Sequence, residues 1–419
     1  MFSITTFSEL LKGLPRGAFD KVVKKHNADK YCKRFGHWDQ LIAMLYAQLS
    51  GASGLRALES GYNSHKSHHF HLGTGPLKRS TLADANEKRA DTVFSEVAAS
   101  LMGQVARRDR GDCDDLMYLL DSTSITLKGR EFERWTAANR TRNTQGIKVH
   151  VLMESHSQAP AWHSFSAPNV NDVEMARHVP LQAGALYVFD KGYCHYNWWN
   201  DIDAAGARFV TRFKKNAGLI VTEDRAVDET DRATILQDQL VRFKTKYPGA
   251  GRVNRYSKEL RCVTVARPDK ATPLVLATND LTASASEIAQ RYKDRWAIEL
   301  FFKWIKQHLK IKQFIGRTEN AVRIQVLTAL ISYLLVALYK QRNGKTETLG
   351  NACAKSAQHS SNGLIQRPHD TDGEKQRQHS KPKFNPASSE YDVKKIIPDS
   401  SAPTRDDGVG LVACGSQAA

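Results

Sequence analysis

Y-K-D-R-W-A-I-E-L-F-F-K-W-I-K, residues 292–306, carries four polar side chains at a spacing that repays attention. Tyr292, Arg295, Glu299 and Lys306 follow Y-x2-R-x3-E-x6-K, and on an α-helix advancing ~100° per residue they fall within an arc of roughly 60°. One helix face therefore presents a phenol, a guanidinium, a carboxylate and an ammonium. The neighbouring arc holds Ile298, Phe301, Phe302, Ile305 and Leu309, so the charged stripe borders an apolar stripe that faces a core. Taken alone, this pattern also describes a solvated helix laced with ion pairs, since Arg295 and Glu299 would support any helix by about 0.2–0.5 kcal/mol. Two carboxylates further upstream weigh against that reading.

The first is Asp121, which interrupts the apolar and β-branched run L-M-Y-L-L-D-S-T-S-I-T-L, residues 116–127. That run predicts a buried strand, and an isolated charge in a buried strand is expensive unless it is paired or metal-bound. The second is Asp190 in A-L-Y-V-F-D-K-G-Y. There the end of a short apolar strand delivers a carboxylate into the crevice where open α/β sheets place their sites. Each aspartate alone is equally readable as a turn or cap residue; two of them together with a helical glutamate make coincidence a poor explanation.

With these blocks in view, the chain resembles the DDE transposases of bacterial insertion sequences, and specifically the IS-four family, whose signature is the Y-x2-R-x3-E-x6-K helix. The resemblance covers roughly residues 1–340 and rests on the D-S-T segment at Asp121, the F-D-K-G-Y segment at Asp190 and the signature helix. It implies an RNase H-like catalytic core in which Asp121, Asp190 and Glu299 are both the catalytic residues and the metal ligands. It also implies two Mg2+ ions, with Mn2+ as a substitute, and double-stranded DNA bearing terminal inverted repeats as the partner. A homodimer assembled on that DNA is implied as well.

The chemistry suits the residues. Strand cleavage and transfer are in-line displacements at phosphorus, and two cations about 3.5–4 Å apart activate the entering oxygen and stabilise the leaving one. Hard Mg2+ prefers carboxylate oxygen and keeps several waters. In this scheme Asp121 bridges the ions, Asp190 and Glu299 each hold one, and Arg295 and Lys306 neutralise phosphate oxygens. Tyr292 is expected to contact a terminal phosphate or base. Trp296 is a candidate stacking surface for a displaced base, by resemblance to relatives that open a DNA hairpin, or else a half-buried packing residue.

Composition agrees. The 419 residues carry 61 Lys and Arg against 44 Asp and Glu, a formal net charge of +17, which calls for a polyanionic partner; nucleic acid and anionic membrane both qualify. The N-terminus lacks the basic and apolar regions of a signal peptide. The most apolar stretch, 324–339, contains Gln325, Thr328 and Ser332 and reads as a core helix packed on the catalytic sheet. No membrane association is expected, and the location implied is the bacterial cytoplasm, in association with the nucleoid. Six scattered cysteines without a C-x-x-C pair point to reduced thiols. The histidine-rich run at 65–71 reads as a loop of protonatable groups facing DNA.

Along the chain, residues 1–105 have helical periodicity, and the resemblance implies that they form a DNA-end-binding domain, in which Lys21, Lys24, Lys25, Lys33 and Arg34 are either phosphate contacts or a solvated basic helix face. Thr81 and Asp84 suggest a capping box. Residues 113–215 and 284–340 read as mixed α/β, and three antiparallel strands followed by parallel ones would fit the RNase H-like core that the resemblance implies. Residues 216–283 are basic and alternate in period two, which by resemblance to family members reads as an inserted β subdomain; Lys214 and Lys215 just before it, and Arg252 and Arg255 within it, are candidate DNA contacts. Ser284 and Glu287 form a second capping box at the start of the signature helix.

Residues 341–419 lose apolar periodicity and are expected to be disordered. The resemblance implies further helical sequence there, so this tail is either a natural flexible extension or the product of a changed reading frame. Three functions stay open on the residues alone: a transposase, a transposition-inactive DNA-binding protein that inhibits related enzymes, and a stand-alone RNase H-like nuclease. Cutting at paired inverted repeats separates the first from the third, and binding without cutting selects the second.

Overall fold

The computed structural model describes residues 4–109, 116–133, 135–136, 145–246, 253–268, 270–308 and 314–343. The tail expected to be disordered lies outside the described residues from 344 onward, as do Arg252 and Leu309.

Helices come first: α1 (Ile4–Leu11), α2 (Arg16–Lys25), α3 (His37–Ser50), α4 (Leu55–Asn63), α5 (Lys66–His69), α6 (Arg79–Lys88) and α7 (Thr92–Asp109). Then come β1 (Met117–Thr126), α8 (Arg130–Glu133), β2 (Gly146–Glu154), β3 (Pro160–Ser166), α9 (Asp172–Ala176), β4 (Leu186–Phe189), α10 (Tyr196–Ala204) and β5 (Arg208–Arg212). Strands β6 (Leu219–Asp224), β7 (Ile235–Phe243), β8 (Leu260–Val265) and β9 (Leu274–Thr278) lead to α11 (Ala285–Asp294), α12 (Trp296–His308) and α13 (Glu319–Arg342).

Among the described residues the strands form one nine-stranded sheet, in the order β3-β2-β1-β4-β5-β9-β8-β7-β6. β1, β2 and β3 pair antiparallel, whereas β1, β4 and β5 run parallel; the sequence pattern alone predicts only a mixed α/β layer. Gly146 opens β2 with φ +152°, and a Cβ there would meet the Ile125 carbonyl oxygen at 1.9 Å. Only glycine permits the two strands to close at that point. The strands of residues 216–283 continue this same sheet, because β9 pairs antiparallel with β5. β6 was not foreseen: it is an exposed strand at one end of the order, so it lacks the alternating apolar pattern of a half-buried one.

Alternation along the strands divides the core in two. Leu119, Val151, Leu186 and Val188 face a cluster shared with α11, α12, α13 and the N-terminal helices, whereas Leu120, Leu152, Tyr187 and Phe189 face Trp198, Trp199 and Ile202 of α10. Since side chains two apart share a face, Asp121 and Asp190 belong to the side covered by α11 and α12.

Helix α13 is the one described helix long and apolar enough to cross a bilayer, yet 94% of its apolar window is buried within the protein. The three polar residues noted above are internally satisfied: Thr328 donates to the Ile324 carbonyl at 2.7 Å, Ser332 to that of Thr328 at 2.8 Å, and Gln325 accepts from the Ile315 N–H at 2.9 Å. It packs mainly among α1, α3, α6 and α7, rather than on the sheet as expected. Helix α12 links the two layers, with Phe301 edge-to-face against Tyr333 at 5.0 Å. The N-terminal helices therefore share a core with the helix that follows the signature.

Two local expectations need correction. The first capping box is absent, because α6 begins at Arg79 with Lys78 as its N-cap, leaving Thr81 and Asp84 inside the helix. The histidine run is not a loop but a short helix, in which His69 is buried, hydrogen-bonded to the Tyr62 carbonyl at 3.0 Å and stacked on the Tyr62 ring. The second cap forms, with Ser284 Oγ accepting from the Glu287 N–H at 3.1 Å.

Candidate active site

Leu120 of β1 is registered with Phe189 of β4 in the parallel ladder, so the next residues, Asp121 and Asp190, emerge side by side. Asp121 lies within its strand, and its carboxylate accepts from the Ser122 N–H at 2.8 Å. Asp190 follows the last residue of β4 and caps a single helical turn that contains Gly192 and Tyr193. Helix α12 crosses β1 and brings Glu299 to the same crevice.

The signature is not one continuous helix. At Arg295 the backbone switches to three-residue bonding, with its N–H directed to the Tyr292 carbonyl at 3.3 Å and its carbonyl accepting from the Ile298 N–H at 3.2 Å. This tightened turn separates α11, carrying Tyr292, from α12, carrying Glu299 and Lys306. The four residues still converge on the two aspartates. Arg295 donates to Glu299 at 2.6 Å and lies 3.9 Å from Asp121. Ile298, Phe301, Phe302 and Ile305 are buried as predicted.

Tyr292 departs from its expected role. It is only 7% exposed; its hydroxyl donates to Asp190 at 3.4 Å, and its ring lies between the guanidinium groups of Arg212 (5.9 Å) and Arg295 (5.5 Å). Its apolar ring fills the α11 interface, so it meets the aspartate instead of solvent. Trp296 is 46% exposed and free to offer a ring face. Lys306 is exposed at the crevice mouth. Lys214 and Lys215 are exposed just beyond β5, while Arg255 is tied to Asp201 at 3.0 Å. Of the N-terminal cations, Lys25 pairs with Glu96 at 2.9 Å, and Lys21, Lys24, Lys33 and Arg34 are exposed.

Arg212, at the end of β5, was not singled out from sequence. It donates to Asp190, and its position at the carboxyl end of a parallel strand is the signal that would have found it. Behind Asp121, on the opposite sheet face, lies a polar cluster that was also missed. Asp172 accepts from Ser122 Oγ at 2.8 Å and from Lys148 at 3.2 Å, and His150 bonds Ser166 Oγ at 2.8 Å. Burial drives His150 to about 4, with Asp172 pulling upward and Lys148 downward. The imidazole is neutral at pH 7.

The acids are electrostatically distinct. Burial raises Asp121 to about 7, against the Ser122 N–H and the charge of Arg295 and with help from Glu299 and Asp190. Burial also works against ionised Asp190, but Arg212 outweighs it and the carboxyl titrates below its usual range. Desolvation lowers Lys306 despite attraction from Asp121. Burial disfavours charge on Arg295 too; Tyr292, Glu299 and Asp121 overcome it and hold the guanidinium firmly protonated.

Three carboxylates around one crevice are the donor chemistry of a hard divalent cation. Among the described residues no three such side chains are gathered closely enough to share an ion; Arg295 and Arg212 engage the carboxylates instead. The Nε atoms of both arginines are buried and, among the described residues, have no acceptor. Leaving such a donor unmade costs about 1–3 kcal/mol.

A family described as "Transposase DDE domain" matches residues 113–335, and one described as a domain of unknown function matches residues 3–75. "Putative transposase y4zB" of Sinorhizobium fredii is 41% identical over 264 residues, covering 62% of this chain and 71% of that one. "Putative transposase for insertion sequence element IS4SA" of Synechocystis is 26% identical over 271 residues, covering 62% and 71%. "Transposase InsG for insertion sequence element IS4" of Escherichia coli is 25% identical over 210 residues, covering 49% and 46%.

Proposed function

The chain belongs to the DDE transposase family of DNA-cleaving, strand-transferring enzymes, and from that premise we propose that it cuts and joins an insertion sequence at terminal inverted repeats through Asp121, Asp190 and Glu299. The observation that carries this reading is the side-by-side emergence of Asp121 and Asp190 from paired parallel strands, with Arg295 joining Glu299 to them. Strands β1–β5 are read as an RNase H-like core.

The family uses divalent metal ions; here Asp121, Asp190 and Glu299 would hold two Mg2+ ions, with Mn2+ able to replace them. When bound, such ions activate the entering oxygen and stabilise the leaving oxygen at phosphorus. The protein's own groups do the positioning. Arg212 and Tyr292 fix Asp190, and the Ser122 N–H fixes one oxygen of Asp121. Arg295 offers its fork to phosphate oxygens once the carboxylates turn to cations. Lys306 adds a point charge at the mouth, Trp296 a stacking face, and Lys214 and Lys215 phosphate contacts beyond β5. The N-terminal helices bind the element end, and two copies assemble on paired ends in the cytoplasm.

The test is incubation of the full chain and Mg2+ with duplexes carrying the inverted repeats that flank its gene. Cleavage at the repeat boundary and joining of the released end to a second duplex are expected. Equal cutting of unrelated duplexes would indicate a stand-alone nuclease, and binding without cutting an inactive DNA-binding protein; either result rejects the proposal.

A further inference from the structure

Three cavities adjoin one another beside α12, the helix that carries Glu299. Lys306 lines one of about 830 Å³, walled by the end of β1 from Ser124 to Lys128 and by Phe314, and reaching Ser53 beside the N-terminal helices. A second, of about 530 Å³, shares Ser53 and takes in Arg56 and Arg79. A third, of about 670 Å³, shares Glu131 and Arg317 and takes in Arg130 and Trp135. Their shared walls make one groove, with Lys306, on the same helix as Glu299, in its middle segment.

The charge along this groove is one-sided. Arg56, Arg79, Lys128, Arg130, Lys306 and Arg317 line it, against the carboxylates of Glu131 and Glu319. Glu131 is already engaged by Arg317, and Glu319 by Arg323 at 2.5 Å. Among the described residues, Arg56, Arg79, Lys128 and Arg130 form no ion pair, so they present uncompensated positive charge. Ser53, Ser124 and Thr126 add hydroxyl donors of the kind that meet phosphate oxygens. A row of exposed cations repels itself, and a polyanion that displaces condensed counterions relieves the repulsion.

We propose that this groove is the path of the DNA backbone through the site: phosphates on one side of the scissile position lie against Arg56 and Arg79, and those on the other side against Lys128 and Arg130. The inference rests on the reading that the acidic crevice performs the cleavage, and it deepens that reading by naming the path of the substrate. The path joins the N-terminal helices to the sheet, so one duplex engages both parts of the molecule.

Fluorescence anisotropy with a duplex spanning the element end and its flank would measure binding by the full chain across a salt series. The variants are Arg56→Ala/Arg79→Ala, Lys128→Ala/Arg130→Ala and the four combined. All four residues are exposed, so circular dichroism should show folding unchanged. Each lost phosphate contact should reduce the slope of log K against log salt by about 0.9: about 2 for either pair and about 4 for the quadruple variant. Ethylation interference should disappear on one side of the cut with the first pair and on the other side with the second. A quadruple variant with wild-type slope and interference pattern would overturn the groove while leaving the carboxylate reading intact. If instead the groove variants behave as expected but the wild-type chain with Mg2+ does not cut the same duplex, the groove stands and the carboxylate reading fails.

Discussion

Arg295 donates to Glu299 at 2.6 Å while standing 3.9 Å from Asp121, so one guanidinium ties the acid of a helix to the acid of a strand. Its side chain is only 14% exposed, against 34% for that of Glu299. This residue holds the crevice together, and the proposed function has it meet phosphate.

Arg295→Ala and Lys306→Ala should therefore separate in stability. Removing the buried arginine leaves Glu299 and Asp121 facing each other and should cost about 1–3 kcal/mol in urea unfolding. Removing the exposed lysine should cost no more than about 0.5 kcal/mol. Both should lower DNA cleavage strongly. Equal stabilities for the two variants would contradict the bridging role of Arg295.

The pH dependence has two parts of opposite sign. Asp121 titrates near 7 when folded, above its ordinary 3.8, so its contribution is fully present below about pH 4 and is lost as pH rises through 7. Asp280, held to about 2 against the cost of burial by the Ala283 and Thr282 N–H groups and by Arg208, contributes above pH 4 and loses that contribution as pH falls through 2. Asp121→Asn should flatten the metal-free stability profile between pH 4 and 7, and Asp280→Asn the acid limb. Because an ionised ligand is required, Mn2+ binding below pH 7 should release a proton from Asp121. Calorimetry in buffers of different ionisation enthalpy measures that proton; none at pH 6 would contradict the raised titration.

The cluster behind the carboxylates gives a third expectation. Lys148 is 9% exposed and donates to Asp172 at 3.2 Å and to the Val170 carbonyl at 2.8 Å. Asp172→Ala strands this cation and should destabilise the chain by about 3 kcal/mol. Lys148→Met added to Asp172→Ala should recover most of the loss in chemical denaturation, since the orphaned charge is gone. A double variant no more stable than the single would point to packing instead of charge.

Much of this was readable in the residues because strands and buried charges write strong patterns. The run from Leu116 to Leu127 places Asp121 in a buried strand, and the short run ending at Phe189 delivers Asp190 beside it. The break at Arg295 was hidden because Tyr292 to Ile298 contains no glycine or proline; the turn tightens through backbone bonding that composition does not encode. Arg212 and Asp172 are harder to pick out for another reason: each meets its partner across the sheet, 22 residues from Asp190 and 50 from Ser122, and only the position of Arg212 at the end of a strand marks it. The layer occupied by α13 likewise depends on its partners, since a helix apolar on every side does not declare which neighbour it packs against.

The most direct measurement takes Asp121→Asn, Asp190→Asn and Glu299→Gln singly, and reads Mg2+-dependent cleavage and DNA-end binding on the same preparations. Removing a neighbour of a metal ligand costs 10–100-fold, so losing the ligand itself should lower cleavage by at least about 100-fold in each variant. Binding of the DNA end should persist, because the phosphate contacts lie on other residues. Cleavage at the wild-type rate by any one of the three would contradict the assignment of that carboxylate, and with it the three-acid site.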